Sequence, residues 1–458
     1  MGSNPTLSAP RGWWLTIDHQ PHFVSDRRRP TANNGGGLRP AVKTMDSELE
    51  RRFRRNMTAN VSDGTLWLFG FAFLSAATIL PVYFVHLSSS TFLLGLIPAM
   101  LDLGWFLPQL FTAQYVERLP RKKPLVALLG LIERLPFLLM AGGALWFARL
   151  PQAIAVTLFF ILMAMRSLAS GLVATPWQEM IARVIPIRWR GRFFGLSNGL
   201  GGALGLVGSA IAAVLLAERP YPENFSLCFL IGFIFTGLSW VALLFTVEPA
   251  QPPLPRPAAT SYRKRLFAIL RGDHNFRQYL ISRGAGYMGG MASGFFAVYG
   301  VERFQLADAQ AAIFTAVMSA VGMLSNALWG FMGDRRGHKL AMECSTALWA
   351  VALLVALAAR SVWVYYAVFA LVGAANAGFV LSDLSITMEF GPEAQRPTYI
   401  GLARTLSAPF LFVAPLLGGA VAQVWGYAWM FGLALALTLA SLVLLRLRVT
   451  EPRHHTEQ

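Results

Sequence analysis

The sequence predicts an all-α membrane protein with twelve transmembrane helices in two bundles of six. Three observations lead to this prediction. Hydrophobic residues make up 55% of the 458 residues and charged residues only 14%, whereas about a quarter of a soluble domain is charged. Apolar runs of about 20 residues, enough for a helix to cross the hydrocarbon core of a bilayer, recur along the chain. These runs fall into two groups of six, separated by a proline-rich gap.

Each apolar run is continuous rather than alternating. This favours helices over strands, because a helix satisfies its own backbone polar groups inside lipid. The predicted spans cover residues 65–87, 91–112, 124–147, 152–175, 193–217, 225–246, 276–300, 309–333, 340–359, 361–386, 398–421 and 426–447.

Five segments are predicted. Residues 1–60 are polar and read as a disordered cytosolic tail; Met45 is an alternative start, followed by a short charged helix from Asp46 to Arg55. Residues 61–248 and 276–450 form the two bundles. Residues 249–275 begin with five prolines within nine positions and predict an extended cytosolic linker. Residues 451–458 form a cytosolic C-terminal tail.

The basic residues predict the orientation. With the N-terminus in the cytosol, the cytosolic tails and loops together with the cytosolic ends of the spans hold 31 of the 39 Lys and Arg residues, the outer loops hold four, and four lie deeper within spans. Such an asymmetry is typical of a multi-pass protein of the plasma or inner membrane with both termini in the cytosol.

Several classes of function are disfavoured. The net charge of +16 sits between apolar runs rather than on a soluble face, so no nucleic-acid partner is expected. No CxxC pair occurs and no histidine lies well inside an apolar run, so no metal or other cofactor is expected. The absence of a GxxxxGK[ST] loop argues against ATP-driven transport. We therefore do not expect an enzyme.

Three pairs of segments repeat between the halves, at offsets of 217, 206 and 203 residues. The first pair follows the second and eighth spans, the second pair precedes the fifth and eleventh, and the third pair follows the sixth and twelfth. The copy after the eighth span carries Gly330, Asp334, Arg335, Gly337 and Lys339. These fill every position of the G-x-x-x-D-R-x-G-x-[RK] loop of the major facilitator superfamily, which residues 60–450 resemble.

The resemblance implies a role for this loop in closing the cytosolic side. In the family, a carboxylate of the loop caps a helix of the opposite half. Asp334 would then face the start of the fifth span near Phe193. Glu117, which precedes Arg118, would face the start of the eleventh span near Thr398. The first copy departs from the pattern at Ala113, Glu117 and Pro120. The alternative is a turn that orients the helices without gating.

Charged residues deep within the predicted spans must face protein or water. Seven of them are candidates for the substrate cavity or for proton coupling: Asp102, Glu133, Arg134, Arg166, Arg283, Asp383 and Arg404. By depth, Asp102 is expected to pair with Arg134, and Glu133 to complete the network or bind a proton; a static ion pair is the alternative.

The other four charges lie nearer the cytosolic ends of their spans. The resemblance implies that the first, fourth, seventh and tenth spans line the path, so Arg166, Arg283 and Asp383 are expected to face it. Asp383 is expected to pair with Arg283 or Arg404 as a cytosolic gate, and Arg166 to attract an anionic or zwitterionic substrate. For Arg283 and Arg404 the alternative is snorkelling to lipid headgroups.

A six-helix parallel repeat is typical of carriers with a central binding site. The sequence therefore predicts a secondary transporter that moves a small solute by alternating access, coupled to an ion or proton gradient, and a monomer whose partners are that solute, lipids and protons. Efflux of amphipathic drugs instead of metabolite uptake, and a sensor without flux, are the alternatives.

Overall fold

The computed structural model describes residues 39–117, 119–250, 269–390 and 396–452. The regular secondary structure within these residues is helical. The described residues from Glu50 onward form one compact helical unit. We number the helices α1 (Arg39–Phe71), α2 (Ile79–Leu87), α3 (Thr91–Glu117), α4 (Lys123–Phe147), α5 (Gln152–Val184), α6 (Ile187–Glu218), α7 (Glu223–Leu244), α8 (His274–Gly289), α9 (Phe296–Phe304), α10 (Ala309–Arg336), α11 (His338–Ala358), α12 (Val362–Glu389), α13 (Arg396–Trp425) and α14 (Tyr427–Arg448).

The all-α membrane architecture is confirmed. Within the described residues, ten helices are long and apolar enough to cross a membrane, namely α3 to α7 and α10 to α14. They correspond to the second to sixth and the eighth to twelfth predicted spans. The first and seventh spans each consist of two shorter helices, α1 with α2 and α8 with α9.

The first span breaks between Phe71 and Ile79. The Leu74 N–H donates to the Phe71 carbonyl at 3.0 Å, and the Leu80 N–H to the Ser75 carbonyl at 2.9 Å, so regular α-helical pairing is interrupted. Pro81 lies in the first turn of α2, where its missing N–H costs nothing. In an unbroken helix, the same proline ring would clash with the carbonyl four residues earlier.

The seventh span breaks at the equivalent place for a different reason. A single 3₁₀ turn (Gly290–Ala292) separates α8 from α9. Glycines flank this turn, and glycine is a poor helix former because its backbone loses most freedom on ordering. Both bundles therefore begin with a helix that is interrupted near its middle.

The N-terminal tail was predicted too long. Helix α1 includes the predicted charged helix Asp46–Arg55 and continues into the first span. Asn56 accepts from the Val247 N–H at 2.7 Å and donates to the Val247 carbonyl at 3.0 Å. Asn60 donates to Thr246 Oγ1 at 3.0 Å. Residues 50–60 are thus ordered against the end of α7, while residues 1–38 lie outside the described part, as do most of the predicted linker (251–268) and tail (453–458).

The third repeated segment has a structural role in both halves. Glu248 accepts hydrogen bonds from the Lys122 and Lys123 N–H groups, each at 2.7 Å, at the start of α4. Glu451 accepts from the Lys339 N–H at 3.3 Å, at the start of α11. Each carboxylate satisfies backbone donors that the first turn of a helix leaves unpaired.

Helix α4 shows which solvent surrounds the bundle. Its outward face carries leucines such as Leu128, with 58% of the residue exposed, and Leu139, with 52%. Its inward face carries Glu133 and Arg134, which are 4% and 5% exposed. A helix of a soluble protein buries its apolar face and exposes its charged face. Helix α4 does the opposite, as expected for a helix surrounded by lipid.

The two ends of the molecule are packed differently. We call the end that holds Asn56 of α1 and the C-terminus of α14 the proximal end, and the opposite end the distal end. One hydrophobic core at the distal end includes residues of both bundles, such as Phe225 and Phe229 with Phe296 and Tyr365. Two separate cores lie at the proximal end, around Met180 in the first bundle and Tyr279 in the second. Buried apolar residues of both bundles therefore pack together distally, whereas each bundle has a core of its own proximally.

Helices α3 and α13 cross between the bundles without room for side chains. A Cβ added to Gly419 would lie 2.6 Å from the Thr91 carbonyl oxygen, and one added to Gly95 would clash with the Pro415 carbonyl. Small residues permit this backbone contact. The contact fixes the register of two antiparallel helices that line the cavity described next.

Candidate functional site

A cavity of about 510 Å³ lies between the bundles. The first bundle contributes four lining residues, Asp102, Trp105, Phe106 and Gln178. The second bundle contributes the remainder, from α8, α11, α12, α13 and α14 and from the turn after α8. The lining residues extend from mid-helix positions to Thr387 and Ile400, near the proximal ends of α12 and α13.

An ion pair lies in the wall formed by the second bundle. Arg283 Nη2 donates to Asp383 Oδ2 at 2.6 Å and to the Tyr287 hydroxyl at 3.0 Å. The Tyr279 hydroxyl donates to the second oxygen of Asp383 at 3.0 Å. This is one of the two pairings expected for Asp383. Because both partners belong to the second bundle, the pair does not connect the bundles, and its role as a gate stays a prediction.

Two further charges line the cavity without a described partner. Asp102 lies on α3 and Arg404 on α13. Within the described residues, neither side chain forms an ion pair or hydrogen bond. The predicted pairing of Asp102 with Arg134 is therefore wrong, and Arg404 faces the cavity rather than lipid headgroups.

Arg134 belongs to a different, closed cluster inside the first bundle. Its guanidinium lies 3.8 Å from Glu133 and 3.9 Å from Asp63, and donates to Ser239 Oγ at 3.0 Å and to the Thr236 carbonyl at 2.5 Å. The Ser239 hydroxyl donates in turn to Asp63 at 2.6 Å. Arg134 points toward α1 and α7, while Asp102 on α3 faces the cavity, and this is why the predicted pair does not form.

Arg166 also lies in this region rather than in the cavity wall. It is only 8% exposed, and its guanidinium lies 5.0 Å from the ring centre of Phe71 and 5.3 Å from that of Phe137. Its Nε has no hydrogen-bond partner within the described residues. The expectation that Arg166 faces the path is wrong, because α5 turns this side chain into the first bundle.

Sequence reasoning missed Asp63. The predicted first span began at residue 65, so the carboxylate fell in the supposed tail. A signal was present, because Asn56, Asn60 and Asp63 are spaced four and three residues apart, which places them on one helix face. All three are buried, with 5%, 1% and 6% exposure.

Polar contacts close the distal end between the bundles. His86 Nε2 lies 2.7 Å from Asp308 Oδ2. Ser90 Oγ donates to Gln423 Oε1 at 3.0 Å, and the Thr78 and Thr315 hydroxyls share a hydrogen bond. The Tyr221 ring stacks on His86 at 4.3 Å. Burial raises the pKa of the Tyr221 phenol and the nearby Asp308 carboxylate raises it further, so this hydroxyl stays protonated.

Comparisons with known proteins agree with this architecture. Residues 279–458 match the family model described as Major Facilitator Superfamily. Over its second bundle, the chain is therefore similar in sequence to the major facilitator superfamily. No curated protein sequence matches the chain.

Solved structures share the fold of this protein at low sequence identity. A D-xylose-proton symporter superposes with a TM-score of 0.69 at 13% identity, covering 87% of this chain and 98% of that one. The nucleoside transporter NupG gives 0.62 at 15% identity, covering 85% and 97%. A POT family transporter in complex with 5-aminolevulinic acid gives 0.66 at 13% identity, covering 86% and 95%.

The superfamily loop connects α10 to α11. Gly337 has a φ of 92°, which a residue with a Cβ rarely adopts, so the turn requires glycine here. The Arg335 guanidinium lies 4.2 Å from the ring centre of Phe331, and Lys339 Nζ lies 3.1 Å from Glu343. Arg118 and the side chain of Glu117 lie outside the described part, and the expected caps across the bundles stay predictions.

Proposed function

We propose that this protein is a secondary transporter that moves a small solute across a cell membrane by alternating access. The observation that supports this proposal best is the different packing at the two ends of the molecule. Distally, one hydrophobic core joins the bundles, whereas proximally each bundle has its own core and the cavity lies between the bundles. The described conformation is closed distally, and a second conformation with the opposite packing would complete a transport cycle.

We also propose that the closed cluster of the first bundle couples transport to a proton gradient. Asp63 and Glu133 are buried beside two guanidiniums, of which Arg166 retains an unpartnered Nε. Buried carboxylates and guanidiniums are costly unless fully paired, which makes such a cluster a candidate for proton exchange.

The proposed orientation places the proximal end in the cytosol. The excess of basic residues in the tails and proximal loops supports it, since positive loops remain on the cytosolic side. The described conformation would then be open to the cytosol.

A reversible lock tests alternating access without knowledge of the substrate. In a variant with Cys228 and Cys344 replaced by alanine, Ser90→Cys with Gln423→Cys would form a distal disulfide, since their side chains are in hydrogen-bond contact. Asn376→Cys, which lines the cavity, is the reporter for a membrane-impermeant maleimide.

The unlocked protein should label from both sides of the membrane. The oxidised lock should label from the proximal side alone, and reductant should restore distal labelling. The Ser90→Cys single variant is the control. Labelling from one side only in the unlocked protein contradicts alternating access.

Uptake of radiolabelled amino acids, sugars and nucleosides into proteoliposomes then separates a carrier from a sensor.

A further inference from the structure

We propose that the cavity binds a zwitterionic solute, with its ammonium group on Asp102 and its carboxylate on Arg404. This inference rests on the proposed transport function and names the substrate class of the same cavity. It follows from the charges in the wall, the register of two helices and the remainder of the lining.

The cavity wall contains four charged side chains among the described residues: Asp102, Arg283, Asp383 and Arg404. Arg283 and Asp383 neutralise each other at 2.6 Å. One carboxylate and one guanidinium remain, each without a described partner. A solute with a single charge would satisfy one of them and desolvate the other, which is costly. A zwitterion satisfies both.

The helix register places these two charges within reach of one small solute. Thr91 lies opposite Gly419 and Gly95 opposite Pro415, so α3 and α13 run antiparallel in contact. Continuing this register puts Ala408 opposite Asp102. Arg404 lies four residues from Ala408, which is about one helical turn, or roughly 6 Å, nearer the proximal end. An extended arginine side chain covers much of that distance, so a few bonds between ammonium and carboxylate suffice.

The rest of the wall fits the body of such a solute. Trp105, Phe106, Trp349 and Phe379 provide apolar surface, while Asn376 and Thr346 provide hydrogen-bonding groups. Mostly apolar pockets with a few polar groups that fix orientation are typical of small-molecule sites. The charges thus select the zwitterion and the aromatic wall accepts its carbon skeleton.

Ligand-induced stabilisation of purified protein tests the inference, because a ligand that binds the folded state raises Tm. The first probes are leucine, N-acetylleucine, which lacks the ammonium, and leucinamide, which lacks the carboxylate. The second series runs from glycine through 4-aminobutanoate to 6-aminohexanoate and varies the distance between the charges. We expect at least one zwitterion to raise Tm and its singly charged analogues to have no effect.

Variants assign the two charges. Asp102→Asn and Arg404→Gln should each weaken zwitterion binding roughly 10-fold or more, the loss expected for a charge-assisted hydrogen bond. Asp102→Glu and Arg404→Lys keep the charge and should retain measurable binding, which excludes misfolding as the cause. Glu218→Gln and Arg360→Gln, at exposed positions outside the cavity, are matched controls with unchanged binding.

The outcomes separate the two proposals. No stabilisation by any zwitterion, or equal stabilisation by a singly charged analogue, overturns the inference, and alternating maleimide access would still support a carrier. Zwitterion binding that depends on both charges, without alternating access or uptake, supports the binding site and overturns the carrier.

Discussion

Individual side chains hold this protein together where helices begin and where charges are buried. Glu248 is 6% exposed and accepts two backbone N–H groups at the start of α4. It also lies 3.4 Å from Arg183. This glutamate belongs to a segment repeated in both halves, so the repeat preserves a cap as well as a sequence pattern.

Replacing Glu248 by glutamine should lower the free energy of unfolding by about 1 to 2 kcal/mol, because the cap loses its charge at the helix N-terminus. Thermal unfolding of the protein in detergent measures the change. Glu218→Gln, at an exposed site, should leave Tm unaltered. Equal Tm values for the two variants would show that the cap contributes nothing.

Replacing Arg134 should lower the free energy of unfolding far more than replacing Asp63. Arg134→Gln leaves Asp63 and Glu133 buried without their nearest cation and should cost about 3 to 5 kcal/mol. Asp63→Asn keeps a hydrogen-bonding group beside Ser239 and leaves Arg134 paired with Glu133, so its cost should be smaller. Detergent Tm values rank the two variants, and the reverse ranking contradicts the described pairing.

At this scale the sequence placed charges within helices correctly, but it did not identify most of their partners. All seven of these charged residues lie within helices, and the Arg283 contact with Asp383 was among the expected pairings. Depth along a helix can be counted from sequence, but the direction in which a side chain points depends on helix rotation. That is why Asp102 was paired wrongly and Arg166 was placed in the path.

At the scale of the helices, length and order were predictable, whereas the breaks were not. Apolar residues continue through both interruptions, between Phe71 and Ile79 and between Gly289 and Phe296, so hydropathy alone shows no boundary. Pro81 and the glycines around residue 290 are local signals for them. Their equivalent positions in the two bundles became apparent only from the structure.

The contact between α3 and α13 should tolerate no added methyl group. Gly419→Ala forces the helices apart and should cost about 1 to 3 kcal/mol. Gly432→Ala, in α14 with open space around the added Cβ, should be neutral or stabilise by up to about 1 kcal/mol. Thermal unfolding gives both values, and a neutral Gly419→Ala would refute the close approach.

For the whole molecule, composition and repeats were sufficient to predict two six-helix bundles, because lipid permits few alternatives to a helix. The state of the bundles could not be predicted, since the proposed alternating access requires one sequence to support two different packings of the bundles. The single distal core and the paired proximal cores would correspond to one of these two proposed states.

Orientation is a separate prediction for the whole molecule. Gly272→Cys at the proximal end should react with an impermeant thiol reagent only after cells are permeabilised. Arg360→Cys at the distal end should react in intact cells. Both positions are exposed. The opposite pattern would place the tails outside and overturn the assignment from basic residues.

The central claim is that the two bundles exchange distal for proximal closure around the cavity. Double electron–electron resonance in lipid nanodiscs measures this with one spin-label pair at Arg149 and Arg360 and another at Arg121 and Arg335, all exposed. The account predicts two populations for each pair, with the distal distance lengthening as the proximal distance shortens, and an unchanged distance for a control pair within the first bundle at Arg121 and Arg149. A single fixed distance at both ends, with and without a bound solute, would contradict it.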